Sequence, residues 1–336
     1  MERVESVAVV GAGSWGTAFA AMLAGRHESV TLWAHETEVY ADLRDRRENR
    51  AFLPGIVLPP AIRPTDDLAE AVSGKSVVVF AVPSHHLRQV AARTAAHLSP
   101  DACLVSLAKG VENGTLKRMT EVLAEASPEH SPRVAALSGP TFAREVAEGK
   151  PTGATVAARD LSVARRLQHA LSGSRFRLYA DEDVTGIEIG GALKNVMAIA
   201  AGMADGLGFG HNARALLISR GLAEISRLGV RLGAHPQTFA GLSGMGDLVL
   251  TCTGDLSRNR SVGMRVGRGE GIGGILAGMT MVAEGVRTAV SAVELSRRTG
   301  VPMPISEEVH CILHEGKDAR EAVSALFSRA LKREKE

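Results

Sequence analysis

Up to about residue 185 the chain alternates short β-branched runs with longer stretches whose apolar residues recur at helical spacing. The runs at 7–10, 30–33, 77–82, 103–107, 134–137 and 154–157 each end near Gly, Pro, Ser or Lys, which predicts strands. Segments such as 17–24 and 87–98 are long enough to return the chain across a sheet, so parallel strands joined by crossover helices are expected. The pattern predicts a doubly wound α/β domain over 1–185.

Beyond about Asp183 the strand-like runs nearly cease, and 187–203, 213–228, 282–299 and 307–313 read as helices. A mostly α-helical second domain over 186–336 follows. Gly206, Gly208 and Gly210 separate its first two helices, and Gly241 to Gly246 marks a loop of permissive backbone. There is no repeat at solenoid period, and 332–336 reads as a solvated helix end.

Composition narrows the function classes. A length of 336 residues fits two domains of about 150 residues each, and 45% apolar content excludes a disordered chain. Thirty-nine Lys and Arg against 37 Asp and Glu leave a charge of +2, so no nucleic-acid partner is expected and any anion site must be local. Cys103, Cys252 and Cys311 are odd in number and far apart, which indicates neither a disulfide framework nor a thiolate metal cage and suits a reducing cytoplasm. The uncharged stretch 6–25 imitates a leader or membrane span by length. However, Glu2, Arg3 and Glu5 before it carry no net positive charge, and Gly11, Gly13, Ser14 and Gly16 interrupt it, so neither secretion nor stable membrane insertion is expected.

The first strand runs into Gly11-Ala12-Gly13-Ser14-Trp15-Gly16, a G-x-G-x-x-G between strand and helix. In that context Gly11 permits the tight turn, Gly13 lets the backbone approach a pyrophosphate, and Gly16 allows close helix packing. With the helix N-terminus offering free N–H donors, a dinucleotide is the expected ligand and the domain reads as Rossmann-type. The second strand ends near His35 and Glu36, the latter about 20 residues past Gly16 as an NAD reader would be. Arg44, Arg46 and Arg47 follow, leaving NAD(H) and NADP(H) both open. The adjacent His85 and His86 point in different directions without a further ligand at metal spacing, so no metal is expected there.

Three segments of the second half carry candidate chemistry. Gly190 to Asn195 places Lys194 on an apolar helix, where an ammonium is costly unless paired or used. Gly241 to Leu248 places Asp247 at the start of an apolar run, available to pair with Lys194. Ser257-Arg258-Asn259-Arg260 groups hydroxyl, guanidinium and amide donors suited to a phosphate.

These segments, with GAGSWGTA (11–18), NRAFLPG (49–55), AVPS (81–84), AKG (108–110), SGPTFA (138–143), GLSGMGDLVLTC (241–252) and VAEG (282–285), resemble the bacterial NAD(P)-dependent sn-glycerol-3-phosphate dehydrogenases over nearly the whole chain. The resemblance implies interconversion of dihydroxyacetone phosphate and sn-glycerol 3-phosphate, supply of the latter for glycerophospholipid synthesis, and a homodimer. It makes Lys194 the general acid/base, with Lys109 and Asp247 beside it. Substrate contacts then fall on Lys109, Gly139, Thr141, Lys194, Asn195, Asp247, Thr251, Ser257, Arg258 and Asn259. Cofactor contacts fall on Ser14, Trp15, His35, Lys109, Ala143, Arg258, Val282 and Glu284, beside the glycines of the turn. A β-hydroxyacid dehydrogenase of similar layout is disfavoured, because Asn195 follows Lys194 directly and the SRNR cluster has no role there. A nucleotide-sensing regulator finds no partner module in the sequence.

Overall fold

Strands that are apolar at nearly every position need a sheet covered on both faces. All residues of Val7–Val10, Val30–Trp33, Val77–Phe80 and Cys103–Ser106 are buried accordingly. The computed structural model describes residues 5–331, 333 and 334. Among them the strands are β1 (Val7–Val10), β2 (Val30–Trp33), β3 (Glu48–Asn49), β4 (Leu53–Val57), β5 (Ile62–Thr65), β6 (Val77–Phe80), β7 (Cys103–Ser106), β8 (Val134–Ser138), β9 (Thr152–Ala158) and β10 (Phe176–Asp181). The main sheet runs β10-β9-β8-β7-β6-β1-β2-β5, and β3 pairs with β4 apart from it. Helices α1 (Ser14–Leu23), α2 (Thr37–Asp45), α3 (Leu68–Val72), α4 (Leu87–Thr94), α5 (Met119–Ala126), α6 (Ala143–Ala147) and α7 (Leu161–Leu171) accompany the sheet.

The expectation of parallel strands throughout needs correction, because β8 and β9 pair antiparallel. Between them only the one-turn helix α6 intervenes, too short to carry the chain back along the sheet, so β9 starts from the end at which β8 finishes. Four strands escaped the sequence pattern. β5 contains Pro64 and occupies a sheet edge, where a missing N–H is tolerated. Pro54 and Gly55 disguise β4, Glu48–Asn49 is only a two-residue strand, and β10 alternates buried with exposed residues at the other edge.

The second half comprises α8 (Val184–Gly206), α9 (Gly210–Arg231), α10 (Asp247–Thr253), α11 (Arg258–Gly267), α12 (Ile272–Ala277), α13 (Glu284–Thr299), α14 (Pro304–His314) and α15 (Ala319–Phe327). Helix α8 starts earlier than its apolar pattern because Asp183 caps it, its Oδ1 accepting from Gly186 N at 2.8 Å. By length and apolarity α8 matches a membrane span, yet its apolar stretch is entirely buried inside the protein, as expected of a core helix at the centre of a domain. The loop read at Gly241 to Gly246 is instead a π-helical turn, Leu242–Gly246, leading directly into α10. Residues 332, 335 and 336 of the expected helix end, like Glu2 and Arg3, lie outside the described residues, while Arg333 and Glu334 are not helical.

Glycine permits the tightest contact in the domain. A Cβ on Gly202 would lie 2.0 Å from the Arg260 carbonyl oxygen, and one on Gly263 would lie 2.0 Å from that of Ile199. The backbones of α8 and α11 therefore touch, which fixes the SRNR segment against the lysine-bearing helix. Backbone atoms cannot yield as a flexible side chain does, so Gly263→Ala is expected to destabilise the protein by at least about 1–3 kcal/mol. Urea unfolding should show a lowered midpoint, and a wild-type midpoint would refute the backbone contact.

Candidate active site

At the end of β1 the turn is built as its glycines suggested. Gly11 has φ +114, and a Cβ there would meet the Ala81 carbonyl oxygen at 2.9 Å. A Cβ on Gly16 would meet the Gly11 oxygen at 1.9 Å, whereas one on Gly13 would meet nothing within 4 Å. Gly13, Ser14 and Trp15 are half-buried, and α1 takes no side-chain cap at its N-terminus. An open glycine beside an uncapped helix start fits a dinucleotide pyrophosphate. Asn49 holds this turn from below: fully buried, its Nδ2 donates to the Ala12 carbonyl at 2.7 Å and to Thr17 Oγ1 at 2.8 Å.

The other proposed cofactor residues are placed in different ways. Trp15 turns its ring onto Phe19 and Phe176, centroids 5.4 and 6.3 Å away, and its buried Nε1 has no partner among the described residues. His35 is exposed at the end of β2 with Glu36 beside it. Of the nearby arginines, Arg44 pairs with Asp45 at 2.7 Å and Arg46 with Asp42 at 3.4 Å. Arg47 donates to the carbonyls of Ile62 and Pro59, so it serves the backbone. Ala143 opens α6, and Val282 is 39% exposed. Glu284 accepts from Ser84 N at 2.9 Å and from Ser84 Oγ at 2.6 Å, tying the turn after β6 to α13.

The catalytic candidates converge on one carboxylate. Asp247 accepts from Lys194 through Oδ1 and from Lys109, at 2.7 Å, through Oδ2. Lys109 also donates to the Gly139 carbonyl at 2.8 Å and reaches Thr141 Oγ1 at 3.4 Å. Lys194 donates to Thr251 Oγ1 at 2.8 Å, and the Thr251 hydroxyl in turn donates to the Asp247 carbonyl at 2.6 Å. That second bond leaves the threonine oxygen facing the lysine as an acceptor. Burial pulls the Lys194 ammonium down from 10.5 to about 7, with Asp247 opposing the shift and Lys109 adding to it. Burial pushes the neighbouring Cys252 thiol up to about 12, so this cysteine is no activated nucleophile.

A chain of amides adjoins this centre. Asn195 Nδ2 donates to the Lys109 carbonyl at 3.2 Å, Asn259 Nδ2 donates to Asn195 Oδ1 at 2.9 Å, and Gly285 N donates to Asn259 Oδ1 at 3.0 Å. Ser257 caps α11 by accepting from Arg260 N at 3.2 Å. Arg260 is spent on Asp205 and Asp255, at 2.8 and 2.9 Å. Arg258 has no hydrogen bond or ion pair among the described residues and remains solvent-accessible, although surrounding protein lowers its pKa by desolvation while Glu284 opposes that. It is the SRNR cation left available to an anion. Ser84 and Asn49 stand inside the AVPS and NRAFLPG motifs, but a motif does not say which side chain bridges which elements.

The chain matches two family models: the NAD-dependent glycerol-3-phosphate dehydrogenase N-terminus over residues 6–164 and its C-terminus over residues 183–324. It is 54% identical over 331 residues to a glycerol-3-phosphate dehydrogenase (NAD(P)+) of Citrifermentans bemidjiense, covering 98% of this chain and 99% of that one. To the enzyme of the same name from Geobacter sulfurreducens it is 53% identical over 332 residues, with the same coverage. The crystal structure of glycerol-3-phosphate dehydrogenase from Coxiella burnetii superposes with a TM-score of 0.92 at 35% identity, covering 97% of this chain and 99% of that one.

Removing the shared carboxylate leaves buried ammonium charge without its partner, so Asp247→Asn is expected to cost about 3–5 kcal/mol near pH 6. Lys194 has a folded pKa below its unfolded value of 10.5. The unfolded state therefore binds more protons between the two, and stability rises with pH across that window. Urea unfolding at pH 6 and pH 9 should show the deficit narrowing at the higher pH, and a pH-independent deficit would contradict this arrangement.

Proposed function

The chain belongs to the NAD-dependent glycerol-3-phosphate dehydrogenase family, and on that premise we propose that Lys194 is the proton donor and acceptor of its reaction. The protein is an oxidoreductase that interconverts dihydroxyacetone phosphate and sn-glycerol 3-phosphate with NAD(P)(H). The observation carrying the assignment is the shared Asp247 carboxylate, which holds Lys194 and Lys109 together in a buried place. A group with a pKa of about 7 both gives and takes a proton readily at neutral pH.

When bound, the nicotinamide supplies or receives the hydride at C2 of the substrate. Gly13, Ser14 and Trp15 would hold its pyrophosphate on the first turn that Gly11 and Gly16 shape, and His35 would stand at the adenosine end. Ala143, Val282 and Glu284 border the rest of the path. Lys194 carries the proton that the C2 oxygen takes up as charge develops on it, and Thr251 with Asp247 fixes the direction in which Nζ points. Lys109 adds a second positive charge beside that oxygen, while Gly139 and Thr141 hold Lys109 in place. With both lysines protonated, the group carries one net positive charge where an alkoxide forms. Arg258, with Ser257, Asn259 and Asn195, receives the phosphate away from the reacting carbon, and binding there positions the carbonyl.

Residues 1–185 form the cofactor-binding domain in this reading and 186–336 the substrate and catalytic domain. Both cofactor forms are accepted in this reading, as the NAD(P)+ in the names of its relatives suggests. The protein acts in the cytoplasm as a homodimer and supplies sn-glycerol 3-phosphate to glycerophospholipid synthesis, as the family relationship suggests.

Dihydroxyacetone phosphate should oxidise NADH and NADPH, while unphosphorylated dihydroxyacetone should not; no oxidation by folded protein would overturn the substrate. Lys194→Ala should lower kcat by at least about 10²-fold. In the reductive direction the rate should fall as pH rises through about 7, because the donor loses its proton, and the oxidative rate should rise. Arg258→Ala should weaken substrate binding by about 1.5–3 kcal/mol, read as a raised KM for the triose phosphate. A folded Lys194→Ala protein with wild-type turnover refutes the acid/base assignment.

A further inference from the structure

One buried carboxylate of α8 takes no part in the chemistry above. Glu188 is 6% exposed and accepts from Thr120 N at 2.8 Å, from Thr120 Oγ1 at 2.6 Å and from Arg118 Nη1 at 2.8 Å. Burial raises its pKa, so the site spends stability in keeping an ion there. Well-packed apolar side chains commonly do as well or better at such positions. A carboxylate held at that cost therefore invites a role other than adhesion.

Its partners lie on the segment that presents Lys109. Arg118 forms an antiparallel bridge with Val111, Glu112 N donates to the Lys117 carbonyl at 2.9 Å, and the excursion from 111 to 118 closes on itself. Val111 is buried in the core of the helical domain, although it follows β7 of the sheet. Arg88 braces the other side of the excursion, donating to both Glu112 carboxylate oxygens at 2.8 Å. On α8, Glu188, Gly191 and Asn195 recur at helical spacing and share a face. Asn195 Nδ2 holds the Lys109 carbonyl at 3.2 Å, and a Cβ on Gly191 would lie 3.7 Å from Lys109 Cγ. One face of α8 therefore grips the excursion at both ends, with Lys109 beside one grip and Arg118 in the other.

We propose that Glu188 is a positioning residue which, through Arg118 and Thr120, sets where Lys109 stands against Asp247 and Lys194. Lys194 is faced by Asp247 and Cys252 from α10 and by Lys109 from the segment leading into the excursion. Lys109 is the like charge among them, so its position is reported by the titration of Lys194. This inference rests on the reading of Lys194 as the acid/base only for its kinetic consequence, because the titration of Lys194 can be followed whether or not it transfers the proton.

The test follows Lys194 Nζ by 15N-lysine NMR in the full-length protein, assigned by comparison with Lys194→Met. It compares wild type, Glu188→Gln, Lys109→Met and the double variant. Releasing Lys109 relieves repulsion, so Glu188→Gln should raise the Lys194 midpoint by about half a pH unit or more. Lys109→Met should shift it the same way, and the double variant should shift no further than Lys109→Met. Turnover of Glu188→Gln should fall about tenfold or more through misplacement of Lys109, with KM for the triose phosphate nearly unchanged. Arg118→Lys, which keeps the cation, should restore part of both readouts relative to Arg118→Met. If Glu188→Gln does not fold, Thr120→Val and Arg118→Met carry the same test. An unmoved Lys194 midpoint in folded variants, or a shift that adds to that of Lys109→Met, overturns the proposal. A moved midpoint in a protein whose Lys194→Ala variant retains wild-type turnover would keep the positioning role and remove only the acid/base reading.

Discussion

Two ammonium groups can share a buried site only when a carboxylate lies between them, and Asp247 meets that requirement with one oxygen for each lysine. The consequences extend in both directions from that contact. Lys194 must sit on a helix buried enough to depress its pKa, and Lys109 must be brought from the sheet to the helical domain. Asp247 itself must be rigid, and the π-helical turn feeding straight into α10 provides this by placing the acid in the first turn of a helix.

The scaffold around α8 follows from the same need. A helix carrying a buried cation must be surrounded, and α9, α10, α11 and α13 pack on it. Glycines along α8 and α11 let backbones meet where side chains would hold them apart, bringing Asn259 beside Asn195. The amide chain from Gly285 through Asn259 and Asn195 to the Lys109 carbonyl then joins the start of α13 to the segment that carries Lys109. Since α13 also carries Glu284, bonded to Ser84 after β6, the sheet and the helical domain share one set of polar contacts.

The glycine turn obeys a different constraint. Gly11 and Gly16 are forced by backbone approaches that allow no Cβ, whereas Gly13 faces open space, so only this last glycine is explained by a ligand. Asn49, far along the chain, supplies the donors that complete the turn. A local motif thus depends on a distant amide for its shape.

The order of elements was legible in the sequence because period and punctuation are local properties. The all-apolar runs gave the central strands, the glycine fingerprint gave the cofactor turn, and an isolated lysine on an apolar helix marked Lys194. Edge strands with Pro64 or alternating exposure were not legible, nor was the reversal between β8 and β9, because pairing direction depends on how far a connection reaches in space. The π-helical turn was hidden for a related reason, since glycines announce freedom without saying how it is used. Within the site, residue types pointed to phosphate, proton and hydride chemistry. Tertiary structure alone assigned partners, leaving Arg258 available while Arg260 was consumed by Asp205, placing Lys109 on Asp247, and setting Glu188 under Arg118. Composition and spacing act along the chain, whereas the charges and hydrogen bonds that choose among similar side chains act through space.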